Sequence, residues 1–272
     1  MQLSWTIFQP SPPLQAIIRD YILLRSSATL VQPHGGVILP RANFSLFLNL
    51  GHPLHHTTTL PVAKDAMTAT MIEPQIQPHT IVYQGHVDAI GINFRVGYVV
   101  PFQCSSLSRL FGNTSSQVDT LEILKRLECC TELQKRIQII EEMLLTQTQV
   151  SKCTRLHHAI NYIVTHQGAI TIQQLCDDLF ISSRQLERLF KQYVGLPPKR
   201  YARLVRFNHI LQYMHDTDVL PHGDIANHYY DQSHFIREFK QFASSAPTSY
   251  LNRPPTYLRD KTLFVDRVAH LK

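Results

Sequence analysis

Apolar positions along the chain change their period, and each change predicts a different kind of element. From Val31 to about Phe102 they alternate. Phe44, Leu46, Leu48 and Leu50 interleave with Ser45, Phe47 and Asn49, and Ile90, Ile92 and Phe94 interleave with Ala89, Gly91 and Asn93. A period of two predicts strands with one face in a core, and short strands punctuated by Pro, Gly and His predict a small barrel or sandwich. To either side the spacing is helical. Leu14, Ile17, Ile18, Tyr21 and Ile22 predict an amphipathic helix over Leu14 to Leu24. Leu133, Ile137, Ile140 and Leu144 mark one stripe of a helix from Leu121 to Leu145, after a polar break over Gly112 to Asp119. That stripe is expected to pack against the chain's own amino-terminal half, with pairing to a second copy as the alternative.

Beyond the polar connector Thr146 to Cys153 the pattern is helical throughout. A first helix over Thr154 to His166 turns Leu156, Ile160 and Ile163 inward. A second, short one begins at Thr171, with Gln174 at the capping-box position and Ile172, Leu175, Cys176 and Leu179 as its apolar set. Ser182 with Gln185 repeats the box and opens a third, in which Leu186, Leu189, Phe190 and Val194 form the inner stripe. Its opposite stripe is Ser183, Arg184, Glu187, Arg188 and Lys191. Gly195 suits the left-handed residue past a helix end, and Pro197-Pro198 opens a further helix. Two short helices joined by a few residues predict a helix-turn-helix.

The third helix has a counterpart. Asp231 to Gln241 (DQSHFIREFKQ) sets on Ser182 to Gln192 (SSRQLERLFKQ) at an offset of 231 − 182 = 49 residues. Arg237 then falls on Arg188, Phe239 on Phe190, Lys240 on Lys191 and Phe235 on Leu186, with Asp231 as a second N-cap. Asp224 to Tyr230 is expected to supply the short helix before it. Between the units, Pro198 to His215 reads as one helix with Tyr201, Leu204, Val205, Leu211 and Met214 inward. Eighteen residues span about 27 Å, near the ~34 Å between successive major-groove segments on one face of B-DNA.

Charge sharpens this picture. The segment Ile181 to Arg206 holds seven Lys/Arg (Arg184, Arg188, Lys191, Lys199, Arg200, Arg203, Arg206) and one acid, Glu187, a balance of +6. The whole chain, with 26 basic and 20 acidic residues, is also +6, so the remainder sums to zero. One concentrated basic segment in an otherwise neutral chain points to a polyanionic partner. At 272 residues the chain can hold two domains with cores. No run of about 18 apolar residues is present, so no membrane-spanning helix is predicted. The start, MQLSWTIFQPSPPLQ, does not read as a signal peptide. The odd, unpatterned cysteines (Cys104, Cys129, Cys130, Cys153, Cys176) predict reduced thiols in the cytoplasm.

The residues from about Thr154 to Leu251 resemble the DNA-binding domain of the AraC/XylS transcriptional regulators. LERLFKQYVGLPPKRYARLVRF (Leu186 to Phe207), DIA (Asp224 to Ala226), DQSHFIREFK (Asp231 to Lys240) and APTSY (Ala246 to Tyr250) carry the resemblance. The resemblance implies two recognition helices in successive major grooves. It places base-facing positions on Ser183, Arg184, Glu187 and Arg188 in the first helix and on Gln232, Ser233, Ile236 and Arg237 in the second. Lys191, Lys199 and Lys240 join them as expected DNA contacts. The chain departs from the family pattern at Tyr229 and Ser244, where glycine is usual. More weakly, HGGVILPRANFSLFLNLG (His34 to Gly51) and GHVDAIGINFRVGYVVPF (Gly85 to Phe102) resemble the β-rich sensor domains of such regulators.

The expected architecture is therefore α+β with two domains. Residues 1–148 form a β-barrel or sandwich-like sensor or dimerisation domain with a helical connector. Residues 149–272 form an all-α domain with helix-turn-helix units at 171–194 and 224–243 and a tail. The expected partner is double-stranded DNA, with RNA polymerase, a small-molecule effector and a second copy of the chain as further partners that the resemblance implies, and no membrane or cofactor. The rival reading is a cupin-like metal-dependent enzyme, or a metal sensor, built on His34, His52, His55, His56 and His79. It lacks the His-x-His strand pair of metal-binding cupins. No G-x-S-x-G, Walker loop or G-x-G-x-x-G is present. Vicinal Cys129-Cys130 are read as small packing residues before an oxidant sensor.

Overall fold

The computed structural model describes residues 3–52, 55–56, 68–95, 120–147, 154–221, 229 and 231–252. The strands are β1 (Leu3–Phe8), β2 (Ile18–Ser26), β3 (Leu30–Ile38), β4 (Ser45–Asn49), β5 (His55–His56), β6 (Thr68–Ile72), β7 (His79–Gly85) and β8 (Asp88–Phe94). The helices are α1 (Thr120–Cys129), α2 (Leu133–Gln147), α3 (Thr154–Thr165), α4 (Ile172–Leu179), α5 (Ser183–Tyr193), α6 (Pro198–Thr217), α7 (Gln232–Ala243) and α8 (Pro247–Asn252). A strand-rich half is thus followed by a helical one.

The strands form two antiparallel sheets, ordered β1-β2-β8-β4-β6 and β3-β7-β5. Among the described residues neither sheet closes, which corrects the barrel expectation in favour of two open sheets. The predicted alternation sets the registers. Tyr21, Ile92 and Leu46 stand side by side on one face of the larger sheet, and Leu23, Ile90 and Leu48 follow on the same face. The other face carries Asp20, Asn93 and Ser45 in a row, linked by hydrogen bonds from Asn93 Nδ2 to Asp20 Oδ1 (2.5 Å) and from Ser45 Oγ to Asn93 Oδ1 (2.6 Å).

The helix expected over Leu14 to Leu24 is instead a short 3₁₀ turn (Pro12–Leu14) followed by β2. The reason is burial on both faces. Every residue from Ile18 to Leu24 is buried, Arg19 and Asp20 included as a 2.6 Å ion pair, so no polar positions mark the period of two. With both faces buried, the i, i+3, i+4 spacing of Leu14 to Ile22 is incidental, and pairing with β1 and β8 decides the conformation.

The helix expected from Leu121 to Leu145 is two, α1 and α2, broken at residues 130–132. Neither Gly nor Pro marks the break. Arg136 holds it from α2, donating from Nε to the Cys130 carbonyl and from Nη1 to both Asp88 oxygens, at 2.7 and 2.9 Å. Glu141 adds a second tie, accepting from Tyr21 Oη (3.2 Å) and from the Ser11 amide (2.7 Å). With Ile137, Ile140 and Leu144 buried in the same core as the sheet, the stripe packs against the chain's own amino-terminal half.

That core continues into the helical half. Leu156, Ile160 and Ile163 of α3, Leu175 of α4, Leu186 and Phe190 of α5 and Tyr201 of α6 join it. A second cluster gathers α6, α7 and α8 around Phe207, Phe239, Phe242 and Tyr250, and reaches Ile22 and Leu39 of the strand-rich half. Asn208, midway along α6, closes this contact with both ends of its amide. Nδ2 donates to the Pro40 carbonyl (2.8 Å), and Oδ1 accepts from the Ala42 amide (3.2 Å). The connector expected over Thr146 to Cys153 begins as the last turn of α2, and its remainder, the expected short helix over Asp224 to Tyr230 and the tail after Asn252 lie outside the described residues, Tyr229 excepted.

Candidate nucleic-acid interface

The first unit is built as its sequence demands. Thr171 accepts from the Gln174 amide, Gln174 Oε1 accepts back from the Thr171 amide (2.8 Å), and α4 starts there. Ser182 and Gln185 repeat the box at the start of α5 (2.9 Å from the Ser182 amide to Gln185 Oε1). Between them Phe180 turns the chain at φ 51°, and the residue is 94% exposed. Leu186 and Phe190 face inward, and Phe190 meets Tyr201 of α6 edge-on at 5.7 Å. Leu189 is only half-buried, so the inner stripe of α5 is narrower than expected. The turn from α3 to α4 lies hard against α6. A Cβ on Gly168 (φ +73°) would sit 2.1 Å from the Ala202 carbonyl oxygen, so only glycine fits.

The second unit copies the first in its cap and its buried aromatic positions, and departs from it on the inner face at Glu238. Asp231 Oδ1 accepts from the His234 amide (2.6 Å) and caps α7. Phe235 and Phe239 take the places of Leu186 and Phe190, with Phe239 edge-on to Phe207 of α6 at 5.4 Å. Ser244 turns left-handed at φ 55°, as Gly195 does at φ 77° after the first unit. Glu238, however, stands at the position equivalent to Leu189, and it is buried. Its carboxylate accepts from Arg203 Nε (2.5 Å) and from Arg206 Nη2 (2.7 Å), and Arg206 lies over the Tyr229 ring at 4.4 Å. Burial alone would push the Glu238 carboxyl up, but Arg206 and then Arg203 outweigh it and hold it below the ordinary carboxylate range.

This ion cluster corrects the charge argument. Two of the seven cations counted between Ile181 and Arg206 are committed to Glu238 rather than offered to a partner. Sequence reasoning missed Glu238, because an acid flanked by Arg237 and Lys240 reads as part of a solvated face. The signal was the repeat itself, which set Glu238 on an inner position.

The remaining predicted residues lie on two matching stripes. Ser183, Arg184, Glu187, Arg188 and Lys191 are exposed on α5. Gln232, Ser233, Arg237 and Lys240 are exposed on α7, and Ile236 between them is half-buried. Ser183 also places its hydroxyl 3.6 Å from Cys176 Sγ of α4. Lys199 is exposed in the first turn of α6. Among the described residues, no ion pair involves Arg184, Glu187, Arg188, Lys191, Lys199, Arg237 or Lys240. Two helices with open cationic stripes, on a common helix of 20 residues or ~30 Å, can contact a polyanion at two places.

A helix-turn-helix domain model matches residues 175–253. The matched model is of an AraC-type domain. Ahead of this match, residues 6–116 match a family described as a domain of unknown function (DUF6597). The chain is 33% identical over 91 residues to the HTH-type transcriptional activator RhaS of Escherichia fergusonii, covering 32% of each chain. It thus spans about a third of the length of the curated relative it matches. Among solved structures, ToxT from Vibrio cholerae is 10% identical with TM-score 0.48, over 93% of this chain and 98% of that one. The AraC-like transcriptional activator CuxR is 12% identical with TM-score 0.26, over 70% and 80%.

Of the five histidines in the rival reading, His52 alone has a described side chain. His52 is exposed, and its Nδ1 accepts from the His86 amide at 3.0 Å. The side chains of His34, His55, His56 and His79 lie outside the described residues. Among the described residues no group of three His, Cys, Asp or Glu is placed to hold a metal, and no helix is long and apolar enough to cross a membrane.

Proposed function

We propose that the chain is a sequence-specific DNA-binding transcriptional regulator whose α5 and α7 enter successive major-groove segments on one face of a duplex. One observation carries this reading: two N-capped helices in the same 49-residue register present exposed, unpaired cationic stripes from a shared strut. Ser183, Arg184, Glu187 and Arg188 on α5, and Gln232, Ser233, Ile236 and Arg237 on α7, face bases. Lys191, Lys199 and Lys240 lie along phosphates, where they fix register without reading sequence. The domain division falls between residues 148 and 149, and the strand-rich half answers a small-molecule effector. The clasp of Asn208 on the Pro40 carbonyl and the Ala42 amide supports that coupling, since it joins that half to the strut between the reading helices. The protein acts in the cytoplasm, on DNA, with RNA polymerase as its downstream partner and no chemistry of its own.

Fluorescence anisotropy of labelled genomic fragments, titrated with the full chain at several salt concentrations, tests this. Some fragment should bind with sub-micromolar affinity, and the logarithm of the affinity should fall linearly with the logarithm of salt concentration. Binding that is absent, or indifferent to salt, would refute the reading.

A further inference from the structure

We infer that the operator is a direct but unequal repeat, in which both groove segments offer a guanine, to Arg188 and to Arg237, while the companion base is a cytosine for Glu187 and a thymine for Ile236. The inference rests on the DNA-reading proposal above and goes beyond it by assigning the chemistry each helix recognises.

The two units are in register, so equivalent residues occupy equivalent depths. Arg188 and Arg237 are each six residues past their N-cap, exposed and without an ion pair among the described residues. A guanidinium donates two parallel N–H bonds, and the guanine edge, with O6 and N7, is the major-groove edge that accepts both. The preceding residues differ. Glu187 and Ile236 are equivalent (236 − 187 = 49) and opposite in chemistry.

Glu187 is exposed on a cationic stripe aimed at a polyanion, where a carboxylate opposes binding unless a donor meets it. Lys191 stands at i+4 in the favourable order, yet no ion pair joins the two. The donor must then come from the groove. Only the exocyclic amines of cytosine and adenine donate there, and adenine sets its N7 lone pair beside the amine, facing the carboxylate. Cytosine presents no such acceptor. Ile236 can neither donate nor accept. Half-buried against the cluster of Phe235 and Phe239, it offers methyl groups alone. The apolar feature of the major groove is the thymine C5 methyl.

Selection of bound duplexes from a random pool by the full chain, followed by reciprocal exchange, tests this. The enriched sequences should hold two guanine-containing blocks with centres about 10 base pairs apart, one with cytosine and the other with thymine. Glu187→Ile should change the cytosine preference to thymine, and Ile236→Glu should change the thymine preference to cytosine, each by about tenfold. Because a charge at a half-buried position can disturb folding, Ile236→Ala gives a second reading. Replacing the thymine by deoxyuridine removes one methyl, so it should weaken the native chain about fourfold and leave Ile236→Ala unaffected. If the same companion base appears in both blocks, or the exchanges leave preference unchanged while salt-dependent DNA binding persists, the unequal-repeat inference fails alone. If no duplex is enriched and no salt-dependent binding occurs, the regulator reading falls with it.

Discussion

Arg206 of α6 donates to Glu238 of α7 at 2.7 Å, and the carboxylate that receives it is 1% exposed. Arg203 reaches the other oxygen at 2.5 Å, so one acid anchors the second reading helix to the strut through two cations. Arg206 also stacks on Tyr229, which stands where the family usually has glycine, so the departure is absorbed into the same cluster. The first unit fills the equivalent place with Leu189. At this one position, therefore, the first helix uses apolar packing and its counterpart uses charge.

Breaking a buried ion cluster by removing one partner strands the others, which is why such losses exceed the worth of the pair itself. Glu238→Ala is expected to destabilise the folded chain by about 3 kcal/mol, although Arg203, 31% exposed, recovers part of its hydration. Urea unfolding of the variant checks this. An unchanged midpoint would mean that the cluster does not hold α7 in place.

Acid should find the same cluster. Asp88 follows Glu238 in kind: burial pushes its carboxyl up, and Arg136 and then Arg25 outweigh that and hold it low. A carboxyl whose folded pKa lies below its unfolded value, about 4, contributes stability that is fully present above that value and is lost as pH falls through the folded one. Stability should thus be flat from neutral pH down to about pH 5 and then fall as both groups take up protons. Glu238→Gln and Asp88→Asn should each start lower at neutral pH and fall less steeply in acid. Parallel curves for native and variant chains would remove these carboxyls as the cause.

The helical half was legible because its signals are local. Capping boxes at Thr171 and Ser182 and the Pro197-Pro198 start of α6 each act within a few residues, the repeat compares two such local patterns, and all three appear in the structure. What was not legible depends on contacts distant in sequence. β2 is a strand because β1 and β8 pair with both its edges while both its faces are buried, which no periodicity within Ile18 to Ser26 reports. The α1–α2 break is held by Arg136, whose partner Asp88 is 48 residues away. At the candidate site the exposed stripes followed from spacing alone. The inward turn of Arg203 and Arg206 followed from Glu238, 32 residues or more beyond them. Ser244 shows the limit of family patterns, since it adopts at φ 55° the left-handed turn that glycine usually takes.

Substitutions in the first unit should separate three roles. Arg188→Ala is expected to lose about 1–3 kcal/mol on the preferred site and much less on random DNA, as a base-edge contact does. Lys199→Ala should weaken all sequences alike and reduce the salt slope by about one. Leu186→Ala, at a fully buried position, should instead cost roughly 2–5 kcal/mol of stability. The half-buried Leu189 should cost less than that. Anisotropy on both kinds of duplex, with unfolding as control, distinguishes them. Equal losses on preferred and random DNA would end the assignment of Arg188 as a base reader.

Asn208 gives the most direct test of how the two halves communicate. It sits on the face of α6 turned to the strand-rich half and satisfies a carbonyl and an amide that belong to no strand, Pro40 and Ala42. Alanine there orphans both groups, and part-buried polar groups left unpaired cost about 1–3 kcal/mol. Because the lost bonds join the halves, the effect should concentrate at their contact rather than spread through either core. Amide hydrogen exchange reads this directly. In Asn208→Ala the Ala42 amide should exchange about tenfold faster or more, while the Ile92 amide, in the centre of the larger sheet, keeps its protection. Aspartate separates the two bonds. It still accepts from Ala42 but sets a carboxylate oxygen against the Pro40 carbonyl, so it should loosen the contact without exposing the Ala42 amide as far. If Ala42 and Ile92 lose protection together, the clasp is part of one cooperative fold and transmits nothing by itself.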